Sequence, residues 1–352
     1  MKPINTESST PYLLRISIAV GAVLVVCVLI AFTRMIWNSR NAHDRPGGHG
    51  DVSFAVSPGG DAVVFNAVGD GGRDLYLLDL KTLRTRRIAA TPDYEVDPEF
   101  APDGKSVVYA AGKPGDRADH IFLRSLDGKT VKQLTAEDRN DESPAFSPDG
   151  SLIAFSRCKT YNWGGLASHW GAGVLCVIRA DGTGFRQITA DESFEVDPHF
   201  SPDGRTILFW YVNRLYTVPA DGSQPPSPLG DLRGRDAVYS PDGTSIAFSN
   251  GRYAPDCRIF VANADGTNIR KLAYPGDAQP ALRGDGCFAP AFAPDGKSVF
   301  FFFDTWPDGP TGVLKQRLWE VDIERGNPHE IAGYTLFDDP LDWRSPPPVP
   351  TK

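Results

Sequence analysis

The chain has 352 residues and a formal net charge of −8, with 41% hydrophobic and 23% charged residues. Its length fits one large domain or two ordinary ones. The acidic balance, with no basic stripe or arginine cluster, excludes nucleic acid as a partner.

In chain order, residues 1–15 form a short leading segment and residues 16–37 read as a transmembrane helix. The apolar run from Ile16 to Thr33 reaches about 27 Å as a helix at ~1.5 Å per residue, close to a bilayer core of ~30 Å. Arg15 and Arg34 bracket it, and Trp37 suits the interface. The competing reading is a cleaved signal peptide, for which Ala31-Phe32-Thr33 is a poor cleavage site. Lys2 and Arg15 before the span nearly balance Arg34, Arg40 and Arg45 after it, so charge leaves the orientation open. Residues 38–50 are a polar linker, with His43 and His49 read as solvent-exposed spacers.

From residue 51 to 335 one phrase recurs six times. It reads Ser57-Pro58-Gly59-Gly60, Ala101-Pro102-Asp103-Gly104, Ser147-Pro148-Asp149-Gly150, Ser201-Pro202-Asp203-Gly204, Ser240-Pro241-Asp242-Gly243 and Ala293-Pro294-Asp295-Gly296. A spacing of about 40–50 residues is the length of one four-stranded propeller blade. An apolar residue precedes each phrase, and a β-branched and aromatic run follows it, as in Val63-Val64-Phe65 and Ile207-Leu208-Phe209. Such runs bounded by Pro-Asp-Gly are strands joined by tight hairpins. Third strands follow, among them Leu75–Leu78, Ile121–Leu123 and Leu215–Val218. Fourth strands are read at 87–89, 132–135, 186–189 and 270–273. The expected fold is all-β: a six-bladed propeller of four-stranded antiparallel blades built from contiguous chain. Residues 336–352 form a proline-rich tail.

This repeat resembles the TolB-type, WD40-like propeller repeat. The resemblance rests on Leu134-Thr135 closing one blade, Pro144-Ala145-Phe146-Ser147-Pro148-Asp149-Gly150 opening the next, and the strand Ile153-Ala154-Phe155. It covers roughly residues 51–335 and implies the fold. It leaves function open, because the repeat occurs in periplasmic scaffold proteins, in non-catalytic domains of prolyl-oligopeptidase-like proteases and in some polysaccharide lyases.

Alternating strand direction puts the tight turns at one end of the ring and the variable connections at the other. Rim aromatics there are Trp163, Trp170, Trp306, Tyr94 and Phe194, suited to a protein interface or a sugar ring. The blade-to-blade loops are acidic. Glu95, Asp97, Asp141, Glu142, Glu195, Asp197, Asp338 and Asp339 are expected at the channel mouth, where they would draw a basic peptide or a cation. For Asp97 and Asp197, capping of their own loops is the alternative. Glu99 and His199 are candidate channel residues.

Cys158 with Cys176, and Cys257 with Cys287, are the expected disulfides, which would place the ring in an oxidising compartment. Four buried thiols are the alternative. The resemblance also implies a periplasmic location. No Gly-x-Ser-x-Gly, His-Glu-x-x-His, Walker or dinucleotide motif occurs in the sequence. The reading is therefore a single-pass, membrane-anchored, extracytoplasmic propeller that is not an enzyme. It binds a protein or peptide partner, basic or disordered, and needs no cofactor or metal beyond a cation at the acidic mouth. The rival is a carbohydrate binder or polysaccharide-lyase-like propeller using the tryptophans and His199.

Overall fold

The computed structural model describes residues 53–331 apart from 70–71, 90, 92, 113–117, 138, 159–160, 164–165, 169–172, 191–194, 213, 251–256, 274–285 and 306–314. The expected anchor, linker and tail lie outside the described residues. Among the described residues no helix is long and apolar enough to cross a membrane.

Each repeated phrase folds as its residues dictate. The glycine amide returns to the carbonyl of the residue before proline, as in Gly150 to Ser147 at 2.8 Å and Gly204 to Ser201 at 2.8 Å. Gly150 and Gly204 take φ of 70° and 71°, the left-handed region that other residues enter at a cost. The aspartate locks the turn. Asp149 Oδ1 accepts the Ser147 hydroxyl at 2.6 Å and the Ser151 amide at 3.0 Å. These donors, the serine hydroxyl first, hold the Asp149 carboxyl below its usual range.

Blade 1 comprises β1 (Phe54–Val56), β2 (Ala62–Gly69), β3 (Gly72–Asp79) and β4 (Arg84–Ala89). Blade 2 comprises β5 (Tyr94–Phe100), β6 (Ser106–Gly112), β7 (His120–Ser125) and β8 (Val131–Gln133). Blade 3 comprises β9 (Asn140–Phe146), β10 (Leu152–Cys158), β13 (Gly173–Arg179) and β14 (Arg186–Gln187), with an inserted hairpin of β11 (Tyr161–Trp163) and β12 (Leu166–Ser168). Blade 4 comprises β15 (Glu195–Phe200), β16 (Thr206–Tyr211), β17 (Arg214–Pro219) and β18 (Ser227–Pro228). Blade 5 comprises β19 (Arg235–Tyr239), β20 (Ser245–Ser249), β21 (Ile259–Asn263) and β22 (Arg270–Lys271). Blade 6 comprises β23 (Gly286–Phe292), β24 (Ser298–Thr305), β25 (Lys315–Asp322) and β26 (Pro328–Glu330). In every blade the strands lie side by side in chain order, so each blade is contiguous chain.

The core lies between blades rather than within them. Successive side chains of a strand point to opposite faces of its sheet, and in a propeller both faces are covered. Val63 and Phe65 of β2 therefore pack on blade 6, and Val64 between them packs on blade 2. The other interfaces repeat this, for example Phe155 against Phe146 and Val108, Phe209 against Leu175, and Phe248 against Leu208. This is why the second strands are continuous apolar runs. At the perimeter a basic side chain of one outer strand staples the next blade. Arg86 donates to the Leu126 carbonyl at 3.2 Å, Arg186 to Asp221 at 3.2 Å and Arg270 to Ile323 at 2.7 Å.

Candidate functional site

The two ends of the ring differ by construction. The first-to-second connections are uniform: residues 57–61, 101–105, 147–151, 201–205, 240–244 and 293–297. The second-to-third connections at the other end run from residues 70–71 and 212–213 up to 159–172, which carries the β11–β12 hairpin. Blade-to-blade connections at that same end range from residues 90–93 to 272–285. A rigid frame with variable loops at one end is the usual setting for recognition.

The inner strands carry a recurring bulge beneath this end. The pairing of the inner strand slips between Val96 and Glu99, Val196 and His199, Arg235 and Val238, and Phe288 and Ala291. At each slip one residue is left-handed: Asp97 (φ 51°), Asp197 (φ 56°), Asp236 (φ 52°) and Ala289 (φ 49°), with Ser143 (φ 51°) at the matching place in blade 3. Aspartate enters this region more readily than most residues because its short polar side chain can find hydrogen-bond partners.

Those partners lie across blade boundaries. The Asp97 amide donates to Ser53 Oγ at 2.9 Å, the Ser143 amide to Asp97 Oδ2 at 3.3 Å, and the Ala289 amide to Asp236 Oδ2 at 3.3 Å. Ser143 Oγ stands 3.4 Å from Asp97 Oδ2 and 3.2 Å from Asp197 Oδ1, so one hydroxyl proton serves two carboxylates. Asp97 and Asp197 thus both accept from a neighbouring blade.

The other acidic residues expected at the mouth are placed differently. Glu95, Asp141 and Glu142 are 1%, 0% and 7% exposed, so they do not line an open surface. Arg157 holds Asp141 through two bonds, Nε to Oδ1 at 2.7 Å and Nη2 to Oδ2 at 3.0 Å, and reaches Glu137 Oε2 at 2.7 Å. Its guanidinium lies 4.5 Å from the Phe185 ring centroid. Glu142 Oε1 accepts from Asn140 Nδ2. A charge taken from water needs such partners, and the inner-strand ends supply them from within the fold.

Glu99 and His199 sit at matching places of blades 2 and 4 and remain partly accessible. Burial raises the Glu99 carboxyl to about 8, opposed by the Phe146 amide that donates to it at 3.3 Å. Burial alone lowers His199 to about 4. Among the described residues no group of three or more His, Cys, Asp or Glu side chains could hold a metal ion.

The expected disulfides are absent. Cys158, Cys176, Cys257 and Cys287 are buried thiols. Cys158 stands opposite Gly173, and Cys176 opposite Phe155. The two cysteines are three places out of register and project from opposite faces of the sheet, beyond the reach of a disulfide. The Cys257 thiol instead donates to the Cys287 carbonyl at 2.7 Å. The cysteines therefore no longer argue for an oxidising compartment.

Trp170, Trp306, Phe194, Asp338 and Asp339 lie outside the described residues, as do the side chains of Trp163 and Glu195. Tyr94 opens β5 and is partly exposed. Ser53, Ser143 and Asp236 in the belt are not among the sequence candidates, although a serine or aspartate five places before the turn proline is visible in each case. Gly164-Gly165 between two short runs is the sequence signal of the β11–β12 hairpin.

Residues 47–163 match the TolB beta propeller domain family, PD40, and beyond that match the Pro-Asp-Gly phrase recurs in three further four-stranded blades. The chain is 28% identical over 131 residues to a Bacillus subtilis protein named as the uncharacterized peptidase YuxL, covering 32% of this chain and 18% of that protein. Among solved structures it is similar to TolB from Acinetobacter baumannii, with 16% identity, a TM-score of 0.57, and coverage of 76% of this chain and 62% of that one. It is also similar to oligogalacturonate lyase from Vibrio parahaemolyticus, with 16% identity, a TM-score of 0.55, and coverage of 79% and 76%. The chain thus spans less than two thirds of the length of YuxL and of that TolB. The expectation that the protein is not an enzyme is overturned here. Relatives bearing this propeller are named as a peptidase and a lyase, so missing motifs in a propeller do not exclude chemistry.

Proposed function

We propose that the propeller is a recognition platform, and that a protein or peptide partner docks at the end bearing the variable connections. The observation that carries this reading is the asymmetry of the ring. Six uniform five-residue turns close one end, while connections of very different length, one with its own hairpin, crown the other. The TolB-like fold supports a protein-binding scaffold. A photocrosslinking residue at Asn162 or Ala167 in the hairpin should capture the partner in native extracts, and one at Lys105 or Arg205 in the turns should not. Capture from the turns alone would refute the reading.

We further propose that residues 16–37 anchor the platform in a membrane, a reading supported by the apolar run, with the ring outside the cytosol, which rests on the TolB resemblance alone. Fractionation of the full chain against a chain lacking residues 1–40 tests it. A carbohydrate-directed reading draws on His199, a neutral imidazole held among the inner strands. It expects glycan-array binding that falls on Trp163→Ala.

A further inference from the structure

Glu95 and Asp141 occupy the same place in consecutive blades, three residues before the inner-strand proline. Asp141 pairs across the sheet with Arg157, which neutralises it. Glu95 pairs with Ala111, which cannot. Glu95 Oε1 accepts the Thr91 amide at 3.2 Å and the Thr91 hydroxyl at 2.6 Å, while Oε2 is buried with no hydrogen-bond partner.

The groups facing Glu95 come from every surrounding element. Asp74 of β3 is 2% exposed, and its Oδ2 lies 3.0 Å from Arg87 Nη1 of β4, which also reaches Tyr76. Asp93 belongs to the connection itself, and Tyr109 of β6 feels the Glu95 charge and is hydrogen-bonded to Arg124 of β7. Arg87 is committed to Asp74 and Arg124 to Tyr109, so an ionised Glu95 meets two carboxylates and no cation of its own. Burial first, and then Asp74 and Asp93, raise its carboxyl to about 7 against the two Thr91 donors.

We propose that Glu95 is a proton-operated latch on the connection between blades 1 and 2. Protonated, it is neutral beside Asp74 and fastens Thr91 to the start of β5. Ionised, its Oε2 is a buried charge with no donor, near the carboxylates of Asp74 and Asp93, and the start of β5 opens to bring it to water. β5 runs from Tyr94 through Asp97 of the inner belt, so the latch sets the order of one sector of the variable end. It operates whether or not a partner docks there.

The test is urea unfolding of the full chain from pH 5 to 8.5, for the unsubstituted protein and Glu95→Gln. Glutamine keeps an acceptor for Thr91 and cannot ionise. A carboxyl titrating from 4.5 in the unfolded chain to about 7 in the fold lowers the folding constant about tenfold between pH 6 and 8 relative to the variant. Parallel pH profiles would overturn the latch. A 13C titration of the Glu95 carboxyl in unsubstituted protein gives an independent answer should the variant fold poorly. A midpoint near 7 supports the latch, and one below 5 overturns it.

Discussion

Gly60 and Pro294, at opposite ends of the ring's sequence, touch. A Cβ built on Gly60 would lie 3.2 Å from Pro294 Cδ, and Gly60 has a φ of 70°. The same contact recurs around the ring, with Gly104 on Pro58, Gly150 on Pro102, Gly204 on Pro148, Gly243 on Pro202 and Gly296 on Pro241. The turn of each blade seats on the turn of the blade before it, and the sixth seats the first. The ring closes through this contact and through Phe54 on Phe302, 4.7 Å between centroids, and among the described residues no strand is exchanged between blades.

Gly60→Ala should therefore cost more than a backbone penalty alone. Gly230, with a φ of 58° and nothing near its would-be Cβ, is the control. Gly230→Ala should cost about 1 kcal/mol from the left-handed backbone, and Gly60→Ala roughly 1 kcal/mol more from crowding Pro294. Urea denaturation of the two variants gives the difference. Equal losses would mean the closing contact is slack.

Arg157→Ala should be among the most damaging single changes in blade 3. It strands the Asp141 carboxylate, which is fully buried, and a broken buried pair costs about 3–5 kcal/mol. The double variant Arg157→Ala with Asp141→Ala should recover part of that loss. Recovery, read from denaturation midpoints, separates the stranded charge from lost packing on Phe185.

The Leu134-Thr135 and Ile188-Thr189 pairs close their blades through the hydroxyl. Thr135 Oγ1 accepts the Ile121 amide at 2.9 Å and Thr189 Oγ1 the Leu175 amide at 3.0 Å, both buried. Thr135→Val keeps the shape and orphans the amide, for an expected loss of about 1–3 kcal/mol. Faster hydrogen exchange at Ile121 is the matching signature.

His199 and Glu99 predict opposite pH limbs. His199, lowered to about 4, contributes stability that is complete above 6.5 and lost as pH falls through 4. Glu99, raised to about 8, contributes stability that is complete below 4.5 and lost as pH rises through 8. His199→Gln should flatten the acid limb of melting temperature against pH, and Glu99→Gln the alkaline one. An unchanged acid limb in His199→Gln would place that loss elsewhere.

The thiols give a chemical test. Native protein should react slowly with a thiol reagent at Cys158, Cys176, Cys257 and Cys287, all buried, and readily once unfolded. Its melting temperature should not change with reductant. A fall on reduction would signal a bond between them.

The fourth strands of blades 4 and 6 escaped the sequence reading because Ser227–Pro228 and Pro328–Glu330 are too short and polar to show a strand pattern. Only pairing with β17 and β25 defines them. The inner belt was half legible. Asp97 and Asp197 stood out before proline, but their partners Ser53 and Ser143 come from neighbouring blades, 44 to 54 residues away in the chain.

By itself the sequence determined the turns, the blade count and the end at which irregular connections gather. Pro-Asp-Gly encodes a local backbone path whose energetics need no distant residue. Tertiary structure alone decided which acids are buried and which partly accessible, that Asp141 has a cation and Glu95 has none, and that the cysteines remain thiols. Those outcomes depend on desolvation and on register between strands, which exist only once the blades have closed against one another.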